Sequence, residues 1–210
     1  MSKYLFQFTI IGLFLTAFSI NAQVNSDAQK ARLCNEYYNN GEFQKAAECF
    51  KDLHEKDKVQ DFYYDKYLSC LLELQQFDDA DKMIRKAIKA APDKVERYVH
   101  LGSTLEKMRK NPEAKEQFDK AVKLLPASQV QINILATAFN NIKKYDFALQ
   151  TYEKGEKLLK EKSIFSYEMA GIYRDKGDAV KMTECYLNAL ELCQQGLPIF
   201  RLLCSATCPK

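Results

Sequence analysis

The sequence is poor in turn-forming residues and has little excess charge of either sign. Its 210 residues include 7 glycines, 5 prolines and no tryptophan. So few turn-formers argue against a sandwich or barrel of many short strands and favour a helical protein. The 31 basic and 28 acidic side chains give a formal net charge of +3. This near balance does not provide the dense positive field that unspecific phosphate binding requires, so we expect no nucleic-acid partner.

Residues that carry catalysis or bind metals are also scarce. The two histidines, His54 and His100, have no cysteine or carboxylate at the spacing of a metal site or a catalytic triad. No phosphate-binding loop, nucleophile elbow or HExxH sequence occurs. We therefore predict that the protein is not an enzyme, and we expect no catalytic residue, no metal and no cofactor.

The longest apolar run lies at the N-terminus. Lys3 is the only charge in residues 1–22, and residues 4–20 are almost wholly apolar before the small-residue break at Ala22. The continuous apolar part, residues 8–20, is shorter than the roughly 20 residues that a bilayer span needs. The pattern is typical of a signal peptide over residues 1–22, and an uncleaved anchor is the alternative. We predict cleavage after Ala22, export to the periplasm or cell envelope, and no stable membrane insertion afterwards.

A period of 34 residues runs through the rest of the chain. Similar residues recur at the same offsets in five segments, 27–60, 61–94, 95–128, 129–162 and 163–196. Offset 7 is occupied by Leu33, Tyr67, Leu101, Leu135 and Met169. Offset 20 is occupied by Ala46, Ala80, Ala114, Ala148 and Met182, and offset 24 by Phe50, Ile84, Phe118, Tyr152 and Tyr186. A fixed period of this length indicates a repeat architecture.

Each segment has the pattern of two helices. Offsets 4, 7, 8 and 11 form one helical stripe, and offsets 20, 24, 27 and 28 form a second. In the polar break between them, Gly41 and Gly177 suit a left-handed helix end, and Pro112 suits a first helical turn. Pro92 and Pro126 would stop the second helix. Each segment is therefore predicted to be a helical hairpin.

These positions resemble the tetratricopeptide repeat (TPR) family, whose unit is a 34-residue helix-turn-helix. The aromatic residue that the family favours at offset 4 appears as Tyr64 and Tyr98, and its Leu-Gly pair appears as Leu101-Gly102. Departures occur in the first and last segments, at Lys30, Ser166 and Met182. The resemblance implies an all-α, right-handed superhelical solenoid of about five repeats over residues 27–196.

The resemblance also implies a ligand-binding groove lined by the first helices. Its residues here are polar and aromatic, which suits an extended peptide, because amides pair with a peptide backbone and tyrosines supply rigid apolar area. The alternative is that asparagines near a helix end are caps and loop formers. The candidate peptide-binding residues are Asn35, Tyr38, Asn39, Ser69, Ser103, Asn133, Thr137, Asn140, Asn141, Tyr167 and Arg174.

We predict an exported scaffold that binds peptides or partner domains in this groove. One alternative is a regulatory or substrate-positioning portion of a longer envelope enzyme or sensor. A glycan-binding protein is the least favoured alternative, because the chain has no tryptophan.

The cysteines and the C-terminal tail fit the repeat pattern less well. The seven cysteines are an odd number, so they cannot all pair within one chain. Cys34, at offset 8, is predicted to fill the core. Cys204 and Cys208 are the candidate reactive pair, and a strained or intermolecular disulfide is the alternative. We predict that the apolar tail, residues 197–210, is the remnant of a longer array and self-associates. The alternative is a short helix from Pro198 that folds back on the last repeat.

Overall fold

The computed structural model of the protein describes residues 27–58 and 60–194, so the predicted signal peptide and the tail with Cys204 and Cys208 lie outside the described residues. The predicted all-α fold is confirmed, since the regular structure of the described residues is α-helical. The helices are α1 (27–39), α2 (Phe43–Lys56), α3 (Asp61–Glu73), α4 (Phe77–Ala90), α5 (Glu96–Lys107), α6 (Asn111–Lys123), α7 (Gln129–Asn141), α8 (Tyr145–Leu159), α9 (Ser166–Lys176) and α10 (Ala179–Gln194).

The chain divides into two compact units, Met1–Ala80 (unit 1) and Asp81–Lys210 (unit 2). In unit 1, α2 packs against α3. In unit 2, three hairpins follow one another, α5 with α6, α7 with α8 and α9 with α10. The first two hairpins stack with like helices in contact, α5 on α7 and α6 on α8, while α8 contacts α9.

The core of unit 2 is built on the small and aromatic offsets of the repeat. Ala114 and Ala148 are fully buried, which allows the second helix of each hairpin to approach the first closely. The Phe118 ring lies 5.7 Å from that of Phe139 and 5.4 Å from that of Phe147. Since Phe118 belongs to α6 and the other two rings to α7 and α8, this aromatic cluster joins two consecutive hairpins.

The core of unit 1 contains a disulfide that the sequence analysis did not identify. Cys34 is fully buried, as predicted, but it is bonded to Cys49 with a Cα–Cα distance of 5.6 Å, which links α1 to α2. Cys70 belongs to the same buried cluster and remains a free thiol. Leu33, placed in the core stripe by its offset, is 45% exposed. At the same offset of later segments, Leu101 and Leu135 are buried.

Several helix ends are completed by residues from outside the helix. Gly41 and Gly177 adopt the left-handed conformation expected after a helix, with φ of 77° and 81°. The buried Arg97 guanidinium donates to the carbonyl oxygen of Ala87 in the last turn of α4, at 2.7 Å. Lys154 Nζ donates to the carbonyls of Val122 and Lys123 at the end of α6. Cations are favourable at helix C-termini because the last carbonyls carry partial negative charge.

Candidate functional site

In unit 1, a cation and two aromatic rings lie together on α1 and α3. Lys66 Nζ lies 4.5 Å from the ring centroid of Tyr38 and 5.9 Å from that of Phe62, which is exposed. Lys66 forms no ion pair with any residue in the described ranges. Such contacts contribute about 0.5–1 kcal/mol at exposed sites. The predicted residue Tyr38 is therefore held against α3 by a lysine that the site prediction did not include.

The other predicted residues of unit 1 differ in exposure and in whether their polar groups are already hydrogen-bonded. Asn35 is half-buried and Asn39 is exposed, both on α1. The Ser69 hydroxyl donates to the backbone carbonyl of Asp65 at 2.8 Å, one turn earlier in α3. Because this bond lies within the helix, Ser69 contributes little hydrogen-bonding capacity to the surface.

In unit 2, α7 presents an exposed strip of mixed apolar and polar side chains. Val130 is 65% exposed and Ile134 is 40% exposed, and Thr137 and Asn141 are exposed on the same helix. These four residues, spaced by four, three and four, lie on one helical face and are called here the α7 strip. The prediction included Thr137 and Asn141 but missed the two aliphatic residues. Val130 and Ile134 lie seven and three residues before Thr137, and this helical spacing was a usable signal that they share its face.

Two further predicted residues, Asn133 and Asn140, lie two turns apart on α7. The side-chain oxygen Oδ1 of each is buried and accepts no hydrogen bond from the described residues. Buried acceptors without a partner are uncommon in folded proteins and call for a specific explanation. These two amides therefore hold unused hydrogen-bonding capacity next to the α7 strip.

The neighbouring first helix, α5, adds a polar edge. Ser103 is half-buried on α5, which contacts α7. Near the end of α5, Glu106 accepts a hydrogen bond from Lys144 Nζ at 2.6 Å, and both side chains are about one-third exposed. This pair joins the first hairpin of unit 2 to the second.

The last two predicted residues lie on α9. Tyr167 is exposed, with its ring 5.8 Å from that of Tyr186 on α10. Arg174 donates from Nε to the carboxylate of the adjacent Asp175 at 3.3 Å. Tyr167 therefore offers an aromatic surface, while part of the charge of Arg174 is already compensated by its neighbour.

Burial is the main cause of the pKa shifts of two groups in unit 2, His100 and Glu168. Burial, and then the charge of Arg97, lower the pKa of His100 to about 4. Burial raises the pKa of Glu168, whose Oε2 accepts no hydrogen bond within the described structure.

Residues 27–58 and 60–194 contain no group of three or more His, Cys, Asp or Glu side chains placed to hold a metal ion. None of the described helices combines the length and apolar character needed to cross a membrane.

Comparison with known proteins identifies the repeat type. Residues 63–94 and 95–127 match the tetratricopeptide repeat family model. No curated protein sequence matches the chain.

Several solved structures resemble the chain at low similarity. PcrH in complex with the chaperone-binding region of PopB is 18% identical, with a TM-score of 0.47, and the match covers 54% of this chain and 92% of PcrH. MamA from Desulfovibrio magneticus RS-1 is 18% identical over 80% of this chain and 97% of its own, with a TM-score of 0.40. YrrB, described as a TPR protein with an unusual peptide-binding site, is 18% identical, with a TM-score of 0.37, and the match covers 84% of this chain and 90% of YrrB. The chain thus contains tetratricopeptide repeats, matched at residues 63–94 and 95–127, within an all-α fold of helical hairpins.

Proposed function

We propose that the protein is a non-catalytic scaffold that binds a peptide segment of a partner protein along α7 in unit 2. The observation that carries the proposal is the arrangement on this helix. The α7 strip exposes Val130 and Ile134, and Asn133 and Asn140 next to it hold buried carbonyl oxygens without partners. Exposed aliphatic side chains beside unused amides suit a ligand that offers both apolar side chains and backbone hydrogen-bond donors.

The chemistry of the surface narrows the class of ligand. An extended peptide presents alternate side chains to one face and leaves backbone N–H groups free, so it can use the aliphatic residues and the amides together. Glu106, on the neighbouring helix α5, and Lys144, which follows α7, already form an ion pair. We therefore infer an uncharged, apolar segment, and we expect its affinity to depend weakly on salt.

We also propose that the protein is exported. The N-terminal apolar run supports this, because residues 1–22 have the composition of a signal peptide. The Cys34–Cys49 disulfide supports it independently, since disulfides persist in the periplasm and other oxidising compartments and are rare in the cytosol. Fractionation of cells expressing the full chain, with N-terminal sequencing, tests both parts. An intact N-terminus in the cytosol would contradict export.

The binding proposal is tested by affinity capture from an envelope fraction, followed by matched variants on the partner obtained. Replacing Asn133, Asn140 and Asn141 with alanine should weaken binding by at least tenfold, corresponding to about 1.4 kcal/mol. Lys120→Ala and Lys157→Ala, exposed positions on the second helices α6 and α8, serve as controls. Circular dichroism melting confirms that all variants fold. Equal losses in both sets, or a loss in the lysine set alone, would contradict the assignment.

A further inference from the structure

The turns between the two helices of each hairpin differ in charge along the chain. At offsets 15 and 16, the first segment carries Gly41-Glu42, the second Gln75-Gln76 and the last Gly177-Asp178. The third and fourth segments instead carry Arg109-Lys110 and Lys143-Lys144. Both of these turns belong to unit 2, and their four residues are called here the basic turns.

The basic residues do not stabilise their own hairpins. The residue at offset 15 has a left-handed backbone in every segment, with φ of 62° at Arg109 and 59° at Lys143 against 81° at Gly177. This conformation is unfavourable for a residue with a β-carbon and is free for glycine. Lys110 and Lys144 stand at the N-caps of α6 and α8, where a cation faces the positive end of the helix dipole.

The two basic turns lie next to each other. In unit 2, α5 contacts α7 and α6 contacts α8, so the turns that join these helices are neighbours. The hydrogen bond from Lys144 Nζ to Glu106, near the end of α5, spans the gap between them. Packed helices are about 8–10 Å apart, and the two turns are therefore separated by a similar distance.

Most of the positive charge at these turns is unpaired. Arg109, Lys110 and Lys143 are exposed and form no ion pair with any residue in the described ranges. Lys107, the last residue of α5, is a further exposed cation without an ion pair in the same part of the structure.

The nearby carboxylates do not cancel this charge. Glu106 is paired with Lys144, and Asp146, in the first turn of α8, is paired with Lys176. Glu113, in the first turn of α6, brings one negative charge against the unpaired cations. The edge of unit 2 that contains the basic turns therefore has an excess of positive charge.

We propose that the basic turns bind an acidic segment of a partner protein. The guanidinium of Arg109 can donate two parallel hydrogen bonds to one carboxylate, and the lysines add charge without a fixed geometry. An extended chain advances about 3.3 Å per residue, so carboxylates two to four residues apart can reach both turns. The proposal does not rest on peptide binding at α7.

An anionic membrane surface fits these turns less well. A small basic patch holds a protein on anionic lipid only when a second, apolar anchor accompanies it. The exposed large hydrophobic side chains of the described residues lie outside both turns. The patch therefore favours carboxylates on a flexible protein segment over lipid headgroups.

The test is a titration of the full chain with a short labelled peptide of alternating aspartate and serine, followed by fluorescence anisotropy. The aspartate peptide should bind with a Kd below about 1 mM, and a peptide with asparagine in place of aspartate should not bind. Arg109→Gly/Lys143→Gly, which restores the glycine of the first and last segments, should weaken binding at least about tenfold without lowering stability. Lys123→Gln/Lys157→Gln removes the same charge from exposed positions at the other ends of α6 and α8, and should change the affinity less than about twofold.

Salt and a second ligand separate the alternatives. Binding of the aspartate peptide should weaken at least about fivefold as the salt rises from about 0.01 M to about 0.15 M, unlike the weakly salt-dependent binding expected at α7. The variant with alanine at Asn133, Asn140 and Asn141 should bind the aspartate peptide like the parent, so failure at one surface does not imply failure at the other.

Three results would overturn the proposal. The first is no saturable binding of the aspartate peptide up to about 1 mM. The second is an equal loss in the glycine and glutamine variants, which would show unspecific attraction to the net charge. The third is binding to phosphatidylglycerol vesicles that needs Arg109 and Lys143 while the aspartate peptide does not bind, which would assign the turns to a membrane surface.

Discussion

Gly102 on α5 and Phe118 on α6 are packed so closely that no side chain fits between them. A β-carbon at Gly102 would lie 2.6 Å from Cδ1 of the Phe118 ring. The ring is almost completely buried and also contacts Phe139. The absence of a side chain at residue 102 is therefore what allows the two helices of this hairpin to meet around an aromatic ring.

Gly102→Ala should destabilise the protein by about 1–3 kcal/mol, because the new methyl group displaces the Phe118 ring from a packed core. Gly171→Ala is the matched control, since Gly171 also lies within a helix but a β-carbon there would have no neighbour within 4 Å. The control should stabilise by about 0.5–1 kcal/mol through helix propensity alone. Urea denaturation measures both, and the same sign of effect for the two variants would contradict the packing.

Loss of the Cys34–Cys49 bond should lower the free energy of unfolding by about 3 kcal/mol, since the cysteines are 15 residues apart. The measurement is urea denaturation with and without dithiothreitol, after replacing the cysteines beyond Cys70 with serine. A Cys34→Ala/Cys49→Ala variant in this background should be insensitive to the reductant. If dithiothreitol does not change the stability of the protein that keeps Cys34 and Cys49, the bond is not formed.

Cys70 should be inert to thiol reagents while the protein is folded. It is fully buried, and burial raises the pKa of its thiol to about 11, against an ordinary value of 9.0. At pH 8 this shift leaves about a hundredfold less thiolate than an exposed cysteine has. In the background described above, maleimide labelling of Cys70 should occur only after unfolding in urea. Complete labelling within minutes in native buffer would refute this burial.

Acidification should destabilise the protein through His100. The pKa of this group is about 4 in the folded protein and about 6.5 in an unfolded chain. Between these values the unfolded state binds a proton that the folded state does not, so the free energy of unfolding falls as the pH falls from about 6.5 to about 4. The difference is at most about 3 kcal/mol, an upper limit because the residue keeps some exposed surface.

His100→Gln removes the proton-binding group and should flatten this part of the stability profile. Urea denaturation at several pH values, for the parent and the variant, measures the difference. Parallel profiles for the two proteins would show that His100 is solvated in the folded state.

The hairpins could be predicted from sequence because they depend on local periodicity. Ala114 and Phe118 are buried because a 34-residue period repeats the same offsets in each segment. Contacts between side chains distant in sequence could not be predicted this way. The Lys66 contact with Tyr38 and the Lys154 bonds to the end of α6 depend on how one hairpin lies against another. Cys49 gave no signal that it pairs with Cys34, because the equivalent position of the last segment also carries a cysteine, Cys185, and that thiol is free.

The disulfide of unit 1 also bears on the order of events during synthesis. Both of its sulfur atoms belong to the first hairpin, 15 residues apart, so the bond requires nothing that follows Cys49. A chain that enters an oxidising compartment from its N-terminus can therefore close this ring before the hairpins of unit 2 have emerged. If the chain is exported as proposed, Cys70 and the later cysteines would meet a first pair that is already oxidised, and delivery from the N-terminus would favour Cys49 as the partner of Cys34.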